Sequence, residues 1–474
     1  METNLNAIKA MAEFEGIDLG HKKRDRRVAR VVAALAIKPD ASFPEATGSD
    51  AELEGLYRLL NNDRVGVSKL LRPHAFQTAK RVKSKGEAVV VVAHDTTGFE
   101  YEGKGRKGLG PMLKTERGFY GHFSLAVNPD ENREPLGILS FIPVIRKEKE
   151  TRVKKTARAV QSDPEKEYLR WSQGIDEAEK QLAGVKRAIH VGDRESDSYE
   201  IISGLVADDR GFVLRLKYNR NIVANEEVAK LYDVLERAQG VAEREVPLAF
   251  RKDTKSQGSL KVHPPREARL ATLVFAAACV SFRRPRDLRS DQYPAFLAVH
   301  VVHVWEPDPP AGESPIEWKL VTREPIDTPE QILQVVDYYR CRWPIEEFNK
   351  ALKTGCNAEG RQLIEAKALL NAVAILVPIA WSILHLRTLA NSANPPPAAA
   401  VLDPTQIGVL EVHPKTQKFF NGSPQPTARD ALHAVAALGG HLKRNGAPGW
   451  LTLFRGYKTL TDLVLGWQLR CVES

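Results

Sequence analysis

Ala88-Val-Val-Val-Val-Ala93 runs without interruption into His94-Asp95-Thr96-Thr97. Later in the chain Ala188-Ile-His-Val-Gly192 runs in the same way into Asp193. Short apolar, β-branched runs without alternation predict strands buried on both faces, and here each ends on polar residues that include an aspartate. Open α/β sheets place functional residues at the carboxyl ends of such strands. An acid after a strand is also an ordinary turn or N-cap residue, so the two stretches alone leave both meanings open.

Working outward, the fold class reads as α/β with helical flanks. Residues 1–75 read as helical and basic. His21-Lys-Lys-Arg-Asp-Arg-Arg-Val-Ala-Arg30 places Arg26, Arg27 and Arg30 among six cations before an apolar run, Val31 to Ile37. Such a cluster is either a solvated helix start or a face that grips phosphates and releases their counterions. A second helix is expected from Asp50 to Asn61. Beyond Thr97, Gly103 to Gly110 reads as a flexible hairpin tip, because it lacks the GK[ST] of a phosphate loop. Gly121–Val127 and Leu136–Ile145 read as strands, and Arg146–Lys186 as charged and helical. A helix over Ser196–Ala207 and a strand over Gly211–Lys217 follow Asp193. Residues 240–322 alternate like β-structure, with strands at Arg269–Ala276, Ala295–Trp305 and Trp318–Thr322. Helix returns from Thr328, and Pro395-Pro-Pro397 marks a linker before a helical tail. The expected domains are a helical head (1–75), a mixed body with an all-β insertion (76–390, insertion about 240–322) and a helical C-terminal domain (391–474).

Composition narrows the classes. A chain of 474 residues, 43% hydrophobic and 27% charged, excludes a disordered or fibrous protein and a disulfide-stapled miniprotein. Sixty-nine Lys and Arg against sixty Asp and Glu give +9, which fits a polyanionic partner. Cys279, Cys341, Cys356 and Cys471 never form a CxxC pair, so a zinc knuckle is unsupported and a reducing, cytoplasmic setting is expected. The first residues lack the cationic start and apolar run of a signal peptide. Ala372 to Leu384, broken by Pro378 and Ser382, falls short of the ~20 residues of a membrane span and reads as a buried helix.

A third acid, Glu346, lies in Tyr338-Tyr-Arg-Cys-Arg-Trp-Pro-Ile-Glu-Glu-Phe-Asn-Lys-Ala-Leu-Lys353. Three carboxylates converging from two strands and a helix could hold two hard divalent cations, one activating the attacking oxygen and one stabilising the leaving oxygen. At ~100° per residue Glu346 and Lys353 fall within ~20° of each other, with Lys350 on the same face and Arg342 and Tyr339 nearby. Pro344 should end or kink a preceding helix, or sit in the first turn of a new one. This face reads either as solvated ion pairing or as one metal-binding acid beside phosphate donors. Asp197 reads as a helix-face acid, and His300 and His303 point to opposite faces of one strand, against a histidine metal site.

These words resemble a known family. Tyr339-x-x-Arg342-x-x-x-Glu346-x-x-x-x-x-x-Lys353 looks like the YREK signature of bacterial cut-and-paste DDE transposases of the Tn-five type. His94-Asp-Thr-Thr97 and Asp193-Arg-Glu-Ser-Asp197 resemble the blocks around the family's two aspartates, and Arg342-Trp-x-Ile-Glu-Glu-Phe348 the block around its glutamate. Asp25-Arg-Arg-x-Ala-Arg30 and Glu54-Gly-x-Tyr-Arg58 resemble the end-binding domain. Leu438-Gly-Gly, Gly449-Trp450, Gly456-Tyr and Gly466-Trp467 resemble the dimerisation region. Pro344 departs from a position that is often basic or polar in the family.

The resemblance implies an RNase H-like catalytic core with a β insertion before the glutamate. It implies that Asp95, Asp193 and Glu346 bind two Mg²⁺ or Mn²⁺ ions. Tyr339, Arg342 and Lys353 would contact end phosphates, with Arg215 and Lys217 as a basic pair beside them. Trp318 would stack on a base flipped out near the transposon end, with Trp343 as its neighbour in the signature, and Arg26, Arg27, Arg30 and Lys38 would face DNA from the head. The implied partners are double-stranded DNA, as inverted-repeat ends and target, and a second copy in a synaptic homodimer, with no membrane. The expected activity is nicking, hairpin formation and strand transfer by in-line phosphoryl transfer. The alternatives are a DNA-binding repressor with an inactive core and an RNase H-fold nuclease.

Overall fold

The computed structural model describes residues 5–103, 105–112, 116–148, 169–224, 227–251, 265–420, 425–442 and 448–472. The chain divides into two compact units. One comprises Met1–Val153, Gln173–Lys186 and Trp343–Ser474, and the other Lys154–Ser172 and Arg187–Arg342.

The first unit opens with α1 (Leu5–Ala12), α2 (Lys22–Ile37), α3 (Phe43–Ala46), α4 (Asp50–Leu60) and α5 (Val67–Ser84). Local chemistry sets their starts. The His21 ring accepts the Lys23 N–H at 3.1 Å, Ser42 and Glu45 form a capping box, and Ser49 Oγ accepts the Glu52 N–H at 3.3 Å. Val28, Val31, Val32 and Leu35 of α2 are buried, a helical stripe that leaves Lys22, Lys23, Arg26 and Arg30 exposed. The fifth helix extends beyond residue 75 and is tied to α1 by a buried polar knot. The Ile138 N–H donates to His74 Nε2 at 2.9 Å, so Nδ1 carries the proton and donates to Glu13 Oε2 at 2.6 Å. Arg81 donates to both oxygens of the same carboxylate, at 2.6 and 3.0 Å. Burial alone would raise the Glu13 carboxyl, but the hydrogen bonds and charges of His74 and Arg81 outweigh it and hold it at about 2.

Strands β1 (Val89–Tyr101), β3 (Arg117–Val127) and β4 (Pro135–Val144) form an antiparallel sheet, with the short β2 (Gly110–Pro111) also on β3. β1 is longer than the apolar run suggests. It pairs residue for residue with β3 from Val91 to Tyr101, which keeps it extended well past the last valine. Asp95 is therefore mid-strand, opposite Phe123, instead of at the strand's end. Gly118 permits this close pairing, since a Cβ there would lie 1.9 Å from the Phe99 carbonyl oxygen. Phe99 stacks on Phe119 at 4.9 Å and Phe123 on Phe141 at 4.6 Å, forming a buried aromatic face.

The last third of the chain returns to this unit as α10 (Trp343–Lys350), α11 (Ala366–Asn391), α12 (Pro404–Val412), α13 (Ala428–Leu438) and α14 (Trp450–Val472). Phe348 of α10 packs edge-on against Phe123 at 5.3 Å, which docks α10 onto the sheet. α11 is long and apolar enough to cross a membrane, but 78% of its most apolar window is buried inside the structure. Between α10 and α11, Arg361 is buried and donates to the carbonyls of Pro39 (2.8 Å), Ala41 and Cys356 (2.6 Å). Gly456 lets α14 cross α13 closely, because a Cβ there would meet the Val435 carbonyl oxygen at 1.9 Å.

In the second unit, β5 (Arg187–Gly192) and β6 (Gly211–Arg215) are parallel, joined through α7 (Tyr199–Ala207) in a βαβ crossover. β6 continues antiparallel into β12 (Glu317–Thr322), β11 (Phe296–Trp305) and β10 (Arg269–Arg283), which carries both β7 (Asn221–Ala224) and β9 (Ala242–Leu248); β8 (Glu227–Lys230) pairs β7. The β region thus begins at Asn221, before residue 240, and contains the short α8 (Leu231–Glu236). β10 outruns its expected end at Ala276 because β11 pairs with it as far as Arg283. α9 (Pro329–Arg340) starts at a Thr328–Gln331 capping box. Of the expected helical stretch 146–186, residues 149–168 lie outside the described residues, and the helix found is α6 (Leu169–Leu182), which from Gln173 onward belongs to the first unit.

Candidate functional site

Pro344 does what its chemistry demands. α9 stops at Arg340, and α10 restarts at Trp343 with the proline in its first turn. The boundary between the two units falls at this restart, so Tyr339 and Arg342 belong to the second unit and Glu346 and Lys353 to the first.

In the first unit, α10 brings its polar side to Asp95. Asn349 Nδ2 donates to Asp95 Oδ2 at 2.7 Å, across 254 residues of sequence. Asn349 is only 8% exposed, and its Oδ1 is buried without a hydrogen-bond partner. Glu346 stands one turn earlier on the same helix face and is half-buried. α10 passes directly into a π-turn, Ala351–Gly355, closed by the Cys356 N–H on the Ala351 carbonyl at 2.8 Å. That wider turn breaks the uniform 100° step from Glu346 to Lys353. Lys353 Nζ donates to the Gly98 carbonyl at 2.7 Å, three residues along β1 from Asp95, and pairs with Glu359 at 3.1 Å. Lys350 instead pairs with Glu347 at 2.7 Å, and Trp343 is 43% exposed.

In the second unit, Asp193 follows β5 directly and caps a short 3₁₀ turn, Arg194–Ser196, accepting the Glu195 N–H at 2.9 Å. Close to the carboxyl end of β6 lies a cationic, aromatic group. The Trp318 ring meets that of Tyr339 edge-on at 5.4 Å, and the Arg342 guanidinium lies 5.8 Å from the Tyr339 ring centre. Arg215 donates to the Glu317 carbonyl at 3.1 Å. Its pKa is lowered, first by burial and then by the like charges of Arg194 and Arg342, while Tyr339 works the other way. Tyr339 is fully buried and Arg342 is 7% exposed, whereas Lys217 is exposed. Four of the residues expected to contact DNA, Arg215, Trp318, Tyr339 and Arg342, are thus gathered in one place.

Asp197 differs from its expected role as a helix-face acid. It is buried, pairs with Arg220, and accepts the N–H groups of Lys217 (2.6 Å) and Tyr218 (2.9 Å). It thereby fixes the loop after β6 that carries Lys217. His300 and His303 go to separate partners, the Glu324 carbonyl at 2.7 Å and Glu317 at 2.9 Å.

On the head, Arg26 and Arg30 point to solvent. Arg27 is packed against α4: a Cβ on Gly55 would come within 1.6 Å of its Nη1. Lys38, at the end of α2, pairs with Asp462 of α14 at 3.4 Å.

Among the described residues, no group of three His, Cys, Asp or Glu side chains is placed to hold a metal ion. Asp95 is held by Asn349, whose amide oxygen is buried without a hydrogen-bond partner, and oxygen donors of this kind are the ones a hard cation takes. Asn349 could be found in the sequence only as a polar residue one turn beyond Glu346.

The geometry can be set beside known proteins. Residues 9–65 match the family model of the transposase DNA-binding domain. The matched span holds α2, α3 and α4 whole, including the exposed Arg26 and Arg30. It supports a transposase, and it supports DNA as a partner.

Proposed function

We propose that the chain is a DDE transposase that cuts and pastes a DNA element. The reading rests on one observation above all: a transposase DNA-binding segment opens a chain whose later residues carry Asp95, Asp193 and Glu346 in the setting of the YREK signature. The catalytic body is read as RNase H-like, in keeping with the antiparallel β1, β3 and β4 and the parallel pair β5 and β6.

At each inverted repeat, water would nick one strand. The freed 3′-hydroxyl would attack the opposite strand to form a hairpin; the same groups would reopen it and join the end to target DNA. Two Mg²⁺ or Mn²⁺ ions held by Asp95, Asp193 and Glu346 would supply Lewis-acid polarisation of the phosphoryl oxygens and a more acidic water. The chain's own residues do the rest. The exposed guanidinium groups of Arg26 and Arg30 on α2 bind end phosphates. Arg215 and Arg342, crowded by like charge, gain from a phosphate placed between them, and Tyr339 and Trp318 hold their planes in position. Lys353 exchanges the Gly98 carbonyl for a phosphate oxygen. Trp343, exposed at the start of α10, offers a face for an unstacked base. Leu451, Leu465 and Trp467 are exposed on α14 and suit the interface of a homodimer. The setting is the bacterial cytoplasm.

The test is incubation of the full chain with candidate inverted-repeat DNA and Mg²⁺, scored for a hairpinned end. Binding without any nick would favour the second reading, a repressor with an inactive core. That reading draws on the lack, among the described residues, of three metal-binding side chains already gathered together.

A further inference from the structure

We propose that the exposed face of α5 is a further DNA-binding surface, one that grips the phosphate backbone of a duplex. It lies outside residues 9–65, the span matched by the DNA-binding family. The inference rests on DNA as the partner and not on the cutting chemistry. α5 carries the cations Lys69, Arg72, Lys80, Arg81 and Lys83 and no acid. Arg81 turns inward to Glu13. The other four are exposed, and so is Phe76, at 56%. At ~100° per residue these four cations and Phe76 fall within ~80° of one another, opposite the buried Leu71, His74, Thr78 and Val82.

An ordinary solvated helix face pairs its cations with acids three or four residues away. On α5 the neighbours are like-charged instead: Lys69 stands three residues from Arg72, and Lys80 three from Lys83. Lys69 donates to the Arg64 carbonyl at 3.1 Å, and Lys80 lies over the Phe76 ring at 4.6 Å. Like charges at this spacing cost the helix stability. A polyanion laid along the face removes that cost and gains by releasing its own counterions. Lys69 and Lys83 are ~21 Å apart along the helix, a length over which duplex DNA presents about a dozen phosphates. Phe76, one turn from Arg72 and one from Lys80, adds an apolar contact of the kind minor-groove binders use. Backbone contacts position a duplex without reading its sequence, so the face takes element and target DNA alike.

The test is binding of the full-length protein to a labelled duplex of arbitrary sequence across a range of salt, with melting temperature measured alongside. Arg72→Ala, Lys80→Ala and Lys83→Ala made together should leave the melting temperature unchanged, since the side chains are exposed and alanine suits a helix. They should weaken binding by on the order of 10- to 100-fold and lower the slope of log affinity against log salt by about 2–3. Phe76→Ala should weaken binding several-fold without moving the slope. Lys180→Ala, Lys415→Ala and Lys418→Ala together remove the same charge from exposed positions elsewhere in the first unit, and should leave both quantities near the parent values. An α5 triple variant that binds as the parent does, or a control that loses as much, would overturn the inference. Arg26→Ala with Arg30→Ala separates the two levels. If that pair abolishes binding while the α5 variant keeps it, the further surface fails and the DNA-binding head stands; if the parent binds no DNA, both fail. If the α5 variant loses only adhesion to phosphatidylserine vesicles and keeps its DNA affinity, the face belongs to a membrane and the inference fails.

Discussion

Asp95 and Asp193 look alike in the sequence, each at the close of a short apolar run, yet the protein holds them in different ways. Asp193 is held by its own neighbours: the strand stops, the chain turns, and the carboxylate caps the Glu195 N–H two residues on. Asp95 lies inside a 13-residue strand and is held from 254 residues away by Asn349. A local device keeps its geometry whenever the turn forms. A remote one depends on α10 docking through Phe348, so Asp95 is the acid whose placement is sensitive to changes far from it. Each unit also carries a buried carboxylate paired with an arginine, Glu13 with Arg81 in the first and Asp197 with Arg220 in the second.

The most severe way to probe this contrast is at the acids themselves. Asp193→Asn and Asp95→Asn should each reduce end cleavage by on the order of 10³-fold or more, as expected when several kcal/mol of metal-based stabilisation is lost. Gel-shift binding of the end DNA should stay near the parent value. Cleavage that survives in either variant contradicts the assignment of that acid.

Next come the buried pairs. Glu13→Gln and Asp197→Asn should each cost about 3–5 kcal/mol, because each leaves a shielded arginine without its counter-charge. Calorimetry should show Glu13→Gln lowering the transition of the first unit and Asp197→Asn that of the second. A common shift of one transition by both would show that the units melt together.

Acid should act on the same contrast. Glu13 titrates at about 2 when folded, against 4.5 for an unperturbed glutamate. Its contribution, roughly 3 kcal/mol at most, is complete above pH 4.5 and is lost as pH falls from there towards 2. Glu134, paired with His385 and Lys85 and also held at about 2, acts in the same direction. Denaturant midpoints measured between pH 6 and pH 3 should fall, and Glu13→Gln should flatten that dependence. The smallest effect belongs to the head: Arg30→Ala should weaken end binding and lower the slope of log affinity against log salt by about 1. Arg27→Ala, at a residue packed on Gly55, should lower stability more than it alters that slope.

Much of this was legible in the sequence because the signals are local. The basic start of α2, the two short apolar strands, the break at Pro344 and the helix starts near Asp50 and Thr328 all act within a few positions. What the sequence could not show depends on pairing. β1 outran its apolar run because β3 matched it as far as Tyr101, and β10 outran its own because of β11. Asp197 turned inward because Arg220 and two loop N–H groups await it there. The tie of Lys353 to Gly98 follows from a π-turn, an insertion that periodicity cannot foresee. Asn349 had no signal beyond its place in the turn after Glu346.

Arg361 gives the first unit a mechanical property. Its guanidinium ties the carbonyls of Pro39 and Ala41, where the chain leaves α2, to that of Cys356, where it leaves the π-turn holding Lys353. One buried side chain thus joins the end of α2 to the turn that holds Lys353 beside Gly98. Replacing Arg361 would therefore loosen the end of α2 and the turn behind Lys353 together.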